Sequence, residues 1–94
     1  MFEIIFSEKA RDTFQSIQSQ LFERWGVDIV IQFEKRTWDV IETLSESPFI
    51  FQSSEIDSSI RKVVVHKNCS LFYKVNGGKV ELLFFWDNRQ EPIF

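Results

Sequence analysis

Five basic side chains in the second half of the chain are the residues best suited to bind an anion. They are Arg61, Lys62, Lys67, Lys74 and Arg89. Guanidinium and ammonium groups form charge-assisted hydrogen bonds with phosphates and with carboxylates. These residues therefore predict a site for a polyanion or for an acidic protein segment, and the simpler interpretation is the solvated rim of ordinary strands.

Three further side chains, His66, Cys69 and Tyr73, have groups that can act in proton transfer or nucleophilic chemistry. His66 could serve as a general base because imidazole titrates near neutral pH, but a structural or exposed histidine beside a turn is the plainer interpretation. Neighbouring lysines could activate the thiol of Cys69, although a bystander role is the simpler expectation. Strand alternation places Tyr73 toward the core, where its hydroxyl needs a partner.

A chain of 94 residues is long enough for one compact domain, which we expect to span residues 1–94. The single cysteine is typical of a protein in a reducing cytoplasm. With one cysteine and one histidine, disulfides and the common four-ligand zinc sites are excluded, so we expect no metal and no cofactor. The amino terminus has no basic region before a long apolar stretch, and the longest apolar run, residues 82–86, is too short to span a bilayer. We therefore expect a cytoplasmic protein with no membrane partner.

Charge is divided unevenly along the chain, although the formal net charge is only -3. Residues 1–59 hold five Lys or Arg against eleven Asp or Glu, whereas residues 60–94 hold six against three. The acidic total argues against indiscriminate nucleic-acid binding. The basic third can still steer toward a polyanion or an acidic protein segment.

The spacing of apolar residues predicts the elements that must position these side chains. Residues 2–6 predict a strand, and Ser7 predicts the N-cap of a helix that stops at Gly26. Asp28 predicts the cap of a second helix, which Pro48 ends. The predicted helix stripes are Ala10, Phe14, Ile17, Leu21 and Trp25, and then Val30, Phe33, Val40, Ile41 and Leu44.

Three strands over residues 60–67, 70–75 and 79–87 follow a polar loop at residues 52–59. The turns between them are predicted at residues 68–69 and 76–78. We expect an α+β fold of two layers: an N-terminal strand added at a sheet edge, an antiparallel helical hairpin and a three-stranded antiparallel meander.

Both faces of this predicted meander are apolar. A turn at residues 68–69 pairs Val65 with Phe72 and Val63 with Lys74, and the last strand is apolar on both sides. Two helices can cover only one face of the sheet. We therefore expect the other face to carry an exposed apolar patch with a basic rim, which is typical of an interaction site. The alternative is that residues 49–51 and the carboxy-terminal tail fold over it. The residues predicted on this face are Arg61, Val63, Val65, Lys67, Ser70, Phe72 and Lys74.

The order of the elements, together with several short segments, resembles the RelE/ParE family of toxins. The segments are Ile-Arg-Lys-Val-Val-Val at 60–65, Leu-Phe-Tyr-Lys-Val at 71–75 and Trp-Asp-Asn-Arg-Gln-Glu-Pro at 86–92, with Phe33, Leu44 and Pro48 before them. The resemblance covers nearly the whole chain. It implies the toxin half of a type II toxin–antitoxin pair, held inactive by an antitoxin whose carboxy-terminal segment wraps it. The freed toxin of such a pair either cuts ribosome-bound mRNA or inhibits DNA gyrase.

The ribonuclease branch of this family surrounds the scissile phosphate with Lys and Arg side chains and a tyrosine near the carboxy terminus. Arg61 and Arg89 match two of those cations and are the candidate catalytic residues. Val63, Ser70 and Phe94, or no residue in the last case, stand at the other expected positions. These differences favour the ParE-like, plasmid-stabilisation branch, a gyrase-type inhibitor without nuclease activity. A ribosome-dependent endoribonuclease and a degenerate, non-toxic interaction module are the alternatives.

The same resemblance predicts where the antitoxin or the target binds. The predicted contact residues are Arg61, Val63, Val65, Lys67, Phe72, Lys74 and Arg89. Asp87 is close enough in sequence to orient the Arg89 guanidinium. We expect a hetero-oligomer with the antitoxin and allow for a homodimer when the chain is alone.

Overall fold

Two helices pack on one face of a four-stranded sheet in the computed structural model, which describes residues 1–55 and 57–90. In chain order the elements are β1 (Glu3–Phe6), α1 (Glu8–Trp25), α2 (Val27–Glu46), β2 (Arg61–His66), β3 (Cys69–Asn76) and β4 (Lys79–Asp87). The strand order in the sheet is β1-β4-β3-β2, with β1 parallel to β4 and the other neighbours antiparallel. The predicted α+β fold is therefore confirmed, with the first strand at a sheet edge.

Local chemistry sets both ends of α1. The Ser7 hydroxyl accepts a hydrogen bond from the Ala10 amide at 2.9 Å, which is the predicted N-cap. At the other end, Gly26 has φ 86°, and its amide donates to the Phe22 carbonyl at 2.9 Å. Glycine adopts this left-handed backbone without steric cost, so the chain reverses within one residue and α2 begins at Val27.

The ends of α2 differ in detail from the prediction. Asp28 lies in the first helical turn, and no side chain caps the helix, because the reversal at Gly26 already places residue 27 in the helix. The predicted Asp28 cap is therefore wrong. Pro48 follows the end of α2 and is buried, and its carbonyl accepts a hydrogen bond from the Tyr73 hydroxyl at 2.7 Å. The predicted inward position of Tyr73 is confirmed, since its side chain is fully buried.

One core joins the two helix stripes to the sheet. The Phe33 ring stacks on Phe14 at 5.1 Å between centroids and meets Phe85 edge-on at 6.3 Å. Trp25 and Trp38 do not share this burial, since 54% and 55% of their surfaces are exposed. The predicted place of Trp25 on the stripe that faces the core is therefore wrong. None of the helices in the described ranges is apolar over enough of its length to cross a membrane.

The turn between β2 and β3 lies one residue earlier than predicted, at residues 67–68. Val63 consequently pairs with Leu71, Val64 with Ser70, and His66 with Cys69. The register shifts between Val64 and His66, which leaves an extra residue in β2, as in a β-bulge.

This shift changes which side chains share a face, because strand side chains alternate with a period of two. Val63 and Val65 point into the core beneath the helices and are 5% and 3% exposed. Phe72 lies on the opposite face of the sheet. The prediction that Val63, Val65 and Phe72 form one exposed surface is therefore wrong.

Helix α1 satisfies the backbone of β4 where β1 ends. β1 pairs with β4 only as far as Leu82. Beyond that point the Ser7 hydroxyl donates to the Leu83 carbonyl at 2.8 Å, and the Thr13 hydroxyl accepts from the Phe85 amide at 2.9 Å. The register between β3 and β4 also shifts here, which leaves Leu83 as the extra residue. Side-chain hydroxyls thus replace a strand partner that β4 lacks over this stretch.

We predict that Thr13→Val lowers the free energy of unfolding by about 1–2 kcal/mol, because it leaves the Phe85 amide without its acceptor. Thr43→Val is the matched control: both hydroxyls donate to a carbonyl one turn earlier, but that of Thr43 has no bond to the sheet. Its effect should stay within about 0.5 kcal/mol. Urea unfolding gives both values, and equal losses in the two variants would contradict this role of Thr13.

Candidate functional site

The predicted cations fall in separate parts of the sheet rather than in one cluster. Lys67 lies in the β2–β3 turn and Arg89 just beyond β4. Lys74 lies in β3 on the face away from the helices, opposite Glu81 of β4. Arg61 begins β2. Any shared role for these four residues must therefore involve more than one surface.

Arg61 and Arg89 lie at opposite ends of the sheet. β2 and β4 run in the same direction because each is antiparallel to β3. Arg61 pairs with Tyr73, whereas Asp87, two residues before Arg89, pairs with Cys69. Along β3, Tyr73 lies four residues from Cys69, so these two cross-strand pairs are about 13 Å apart. The two candidate catalytic residues are not brought together.

Arg61 is held by the segment that follows α2. Its Nη1 donates to the Phe51 carbonyl, and its guanidinium lies 5.1 Å from the centroid of the Phe49 ring. The backbone at Ser53 bridges to Arg61 as well. Residues 49–51 thus lie at the edge of β2, where Arg61 holds the segment and Phe51 packs against the core, rather than over the face away from the helices as predicted. Phe49 and Ile50 stay 59% and 61% exposed.

A cavity of about 240 Å³ lies between the end of α1, the start of α2, the β2–β3 turn and the end of β4. We call it the turn pocket. Its apolar lining comes from Ile17, Leu21, Ile29 and Cys69. Ile17 and Leu21 are the inward residues of the α1 stripe, which is why helical spacing delivers them to this place.

Trp25, Lys67, Asp87 and Arg89 supply the aromatic and charged groups of the turn pocket. Arg89 Nη2 lies 2.7 Å from Asp87 Oδ2, and Arg89 Nε donates to Asp87 Oδ1 at 3.0 Å. The Arg89 guanidinium also lies 5.8 Å from the Trp25 ring. Hydrogen bonding from the Arg89 side chain is the main cause that lowers the pKa of Asp87, against an opposing effect of burial. The carboxylate therefore stays ionised and fixes the guanidinium, as the sequence suggested.

Asn88 ties the end of β4 to the β2–β3 turn. Its amide donates to the Asn68 carbonyl at 2.5 Å, and its side chain Nδ2 donates to Ser70 Oγ at 2.8 Å. Ser70 is fully buried. These contacts hold the charged side of the turn pocket in place. Sequence patterns did not single out Asn88, and they placed the wall residue Trp25 in the core, because the contacts of both residues join distant parts of the chain.

His66 and Cys69 border the turn pocket without forming a catalytic pair. Burial is the main cause that lowers the pKa of His66, with the positive charges of Arg36 and Lys67 adding to it. Burial likewise raises the pKa of Cys69 to about 12, and its side chain is 4% exposed. At neutral pH the imidazole is uncharged and the thiol stays protonated, so the thiol is a poor nucleophile. Within residues 1–55 and 57–90, no three His, Cys, Asp or Glu side chains converge as metal ligands.

The sheet face opposite the helices carries a second group of residues, which we call the outer face. The rings of Phe72 and Phe84 stack with centroids 4.9 Å apart. Lys62 Nζ lies 5.9 Å from the Phe72 ring, and Lys9 Nζ lies 5.0 Å from the Phe84 ring. Both rings are buried, at 2% and 8% exposure, so the prediction that Phe72 lies in an open apolar patch is wrong.

Two neighbours of that ring pair differ in exposure. Val64 is 59% exposed. Trp86 Nε1 is buried and has no hydrogen-bond partner among the described residues. Three predictions lie outside the residues that the structure describes: the cover by the carboxy-terminal tail, the end of the Trp86–Pro92 segment and the position of Phe94.

Among the predicted contact residues, Phe72 and Lys74 lie on the outer face, and Lys67 and Arg89 lie at the turn pocket.

We predict that Arg89→Ala raises the pKa of Asp87, because the main stabilising hydrogen bonds disappear while burial remains. Arg24→Ala is the matched control, since Arg24 lies equally close to Trp25 but contributes least to the Asp87 shift. The lowered pKa stabilises the folded chain above the unfolded value of about 3.9, and this contribution is lost as pH falls through the folded pKa. Titration of the Asp87 carboxyl carbon by NMR measures the shift, and an equal rise in both variants would contradict the pairing.

Similarity to known proteins appears in structure but not in sequence. No family model and no curated protein matches the chain. A structure of the chromosomal ParDE toxin–antitoxin system from P. aeruginosa matches with a TM-score of 0.78 at 14% identity, over 93% of this chain and 96% of the other. The YoeB dimer from Staphylococcus aureus matches with a TM-score of 0.62 at 11% identity, over 88% and 92%.

A conserved hypothetical protein from Helicobacter pylori matches with a TM-score of 0.59 at 14% identity, over 96% of this chain and 98% of the other. At such identities the likeness concerns the fold. It spans nearly the whole chain, including the helical hairpin and the meander that form the turn pocket. The chain has the RelE/ParE-type toxin fold.

Proposed function

We propose that this chain is the toxin of a bacterial type II toxin–antitoxin system, formed by one domain over residues 1–94 and acting in the cytoplasm. A cognate antitoxin neutralises it, and the free chain arrests growth as a non-nucleolytic, gyrase-type inhibitor. The fold shared with the ParDE structure supports the toxin role. The observation that carries the choice of mechanism is the separation of Arg61 from Arg89 across the sheet.

Cleaving RNA needs a group to take the 2′-hydroxyl proton, a donor for the leaving oxygen and cations around one phosphate. The Tyr73 hydroxyl is bonded to the Pro48 carbonyl inside the core, and burial raises its pKa to about 12. Arg61 is bonded to the Phe51 carbonyl. These groups serve the fold, which leaves Lys67 and Arg89 for contacts with a partner rather than for chemistry.

The same geometry supports a smaller set of antitoxin contacts than the sequence predicted. Val63 and Val65 are covered by the helices, so they contribute to the core. Lys67 and Arg89 at the turn pocket and Lys74 on the outer face remain the proposed contact residues, whereas Phe72, at 2% exposure, is buried. An acidic and apolar antitoxin segment complements both surfaces, because each combines apolar side chains with lysine or arginine.

The proposed target is tested with purified chain, DNA gyrase and relaxed plasmid. We expect the chain to stop supercoiling, and we expect Arg89→Ala to need roughly tenfold more protein, as loss of a central charged contact would. Lys79→Ala is the control, since Lys79 is an exposed lysine at the other turn, and it should change potency less than about twofold. A parallel assay follows ribosome-bound mRNA. Cut message with unaffected supercoiling would overturn the gyrase proposal in favour of the ribonuclease.

A further inference from the structure

We infer that the turn pocket receives one large apolar side chain from an acidic segment of a partner protein. The identification of that partner as the antitoxin rests on the proposed function. The site itself rests on the size of the cavity, its lining and the charges beside it. The size limits how large the inserted side chain can be, the lining favours an apolar one, and the charges favour acidic residues next to it.

The volume of the cavity limits the occupant to about one side chain. Pockets for drug-sized ligands measure roughly 300–1,000 Å³, and the turn pocket, at about 240 Å³, is smaller. It exceeds the cavity of about 150 Å³ that admits benzene in an engineered protein core. A phenylalanine or leucine side chain therefore fits, whereas a complete nucleotide does not.

The lining selects an apolar group. Ile17, Leu21 and Ile29 face the cavity from the helical hairpin, and the Cys69 thiol is protonated. Trp25 forms a wall with about half of its surface exposed. Burial of such a ring against an inserted side chain is the usual source of affinity at the centre of an interface.

The charges select acidic neighbours for that side chain. Asp87 is the carboxylate of the pocket, and Arg89 already neutralises it through their ion pair. The lowered pKa leaves His66 uncharged at neutral pH, so it adds no charge of its own. Lys67 is exposed in the turn, and its ammonium gives the opening of the turn pocket a net positive charge. Residues 60–94 as a whole also hold more basic than acidic side chains. A carboxylate beside the inserted side chain is therefore attracted, and an ammonium is repelled.

The test uses three probes that share a phenylethyl body and differ in charge: 3-phenylpropanoate, 2-phenylethanol and 2-phenylethylammonium. Each is titrated into the full chain and followed by amide NMR shifts. We expect shifts centred on Leu21, Asn68 and Cys69, with a Kd on the order of 1–10 mM for the anion. The anion should bind about fivefold more tightly than the ammonium, which is the scale of one solvent-exposed ion pair.

Two pairs of matched variants separate the pocket from general effects. Trp25→Ala should weaken the binding of all three probes about fivefold, whereas Trp38→Ala, which alters an equally exposed tryptophan outside the cavity, should not. Lys67→Glu should abolish the preference for the anion, and Lys79→Glu should preserve it. Thermal unfolding of each variant confirms that it is folded before titration.

Adenosine 5′-monophosphate supplies the competing nucleic-acid arm. Tighter binding of this nucleotide than of phenylpropanoate at the same amides would overturn the inference. Equal affinity for the three phenyl probes, or shifts that map away from the turn pocket, would overturn it as well. Because no probe involves gyrase or growth, a failed pocket leaves the toxin proposal standing, and an inactive toxin leaves a measured pocket standing.

Discussion

The hydrogen bonding of β4 on both edges is the constraint on which the rest of the structure depends. β3 pairs with one edge of β4 along its length, and β1 pairs with the other edge of β4 as far as Leu82. Past that point the hydroxyls of Ser7 and Thr13 bond the β4 backbone. An amide or carbonyl left unbonded in this position would cost about 1–3 kcal/mol. The start of α1 is therefore fixed to the strand, and the hairpin is placed over the sheet.

This arrangement produces both candidate surfaces. With α1 fixed beside β4, its last turns reach the β2–β3 turn and enclose the turn pocket, while Asn88 closes the other side through Asn68 and Ser70. The apolar residues of β4 that do not face the helices form the outer face with β3. Cations lie beside each surface, and the sheet keeps Arg61 apart from Arg89.

Local chemistry made much of the fold predictable from the sequence. Ser7 caps a helix because its hydroxyl bonds an amide three residues away, and Gly26 ends one because its backbone tolerates positive φ. The register of β2 could not be obtained in this way. Both faces of the meander are apolar, so hydrophobic alternation does not select one pairing, and the extra residue at the β2 bulge leaves no periodic signal.

Sequence spacing likewise predicts contacts between near neighbours in the candidate site but not contacts between distant residues. Arg89 and Asp87 are two residues apart, so their pairing was visible in the sequence. The partners of Arg61 are the carbonyl and ring of residues more than nine positions earlier, which spacing within a strand cannot reveal. Trp25 continues the helix stripe but lies where that stripe leaves the sheet, so an apparent core residue becomes a wall of the turn pocket.

Growth after induction of the chain, alone and together with a candidate antitoxin encoded by a neighbouring gene, shows whether the chain is one half of a toxin–antitoxin pair. We expect arrest when the chain is made alone and recovery when the neighbouring product, an acidic antitoxin, is made with it. Normal growth with folded chain present in the cells would contradict a toxin, and arrest that the neighbouring product fails to relieve would contradict the pairing.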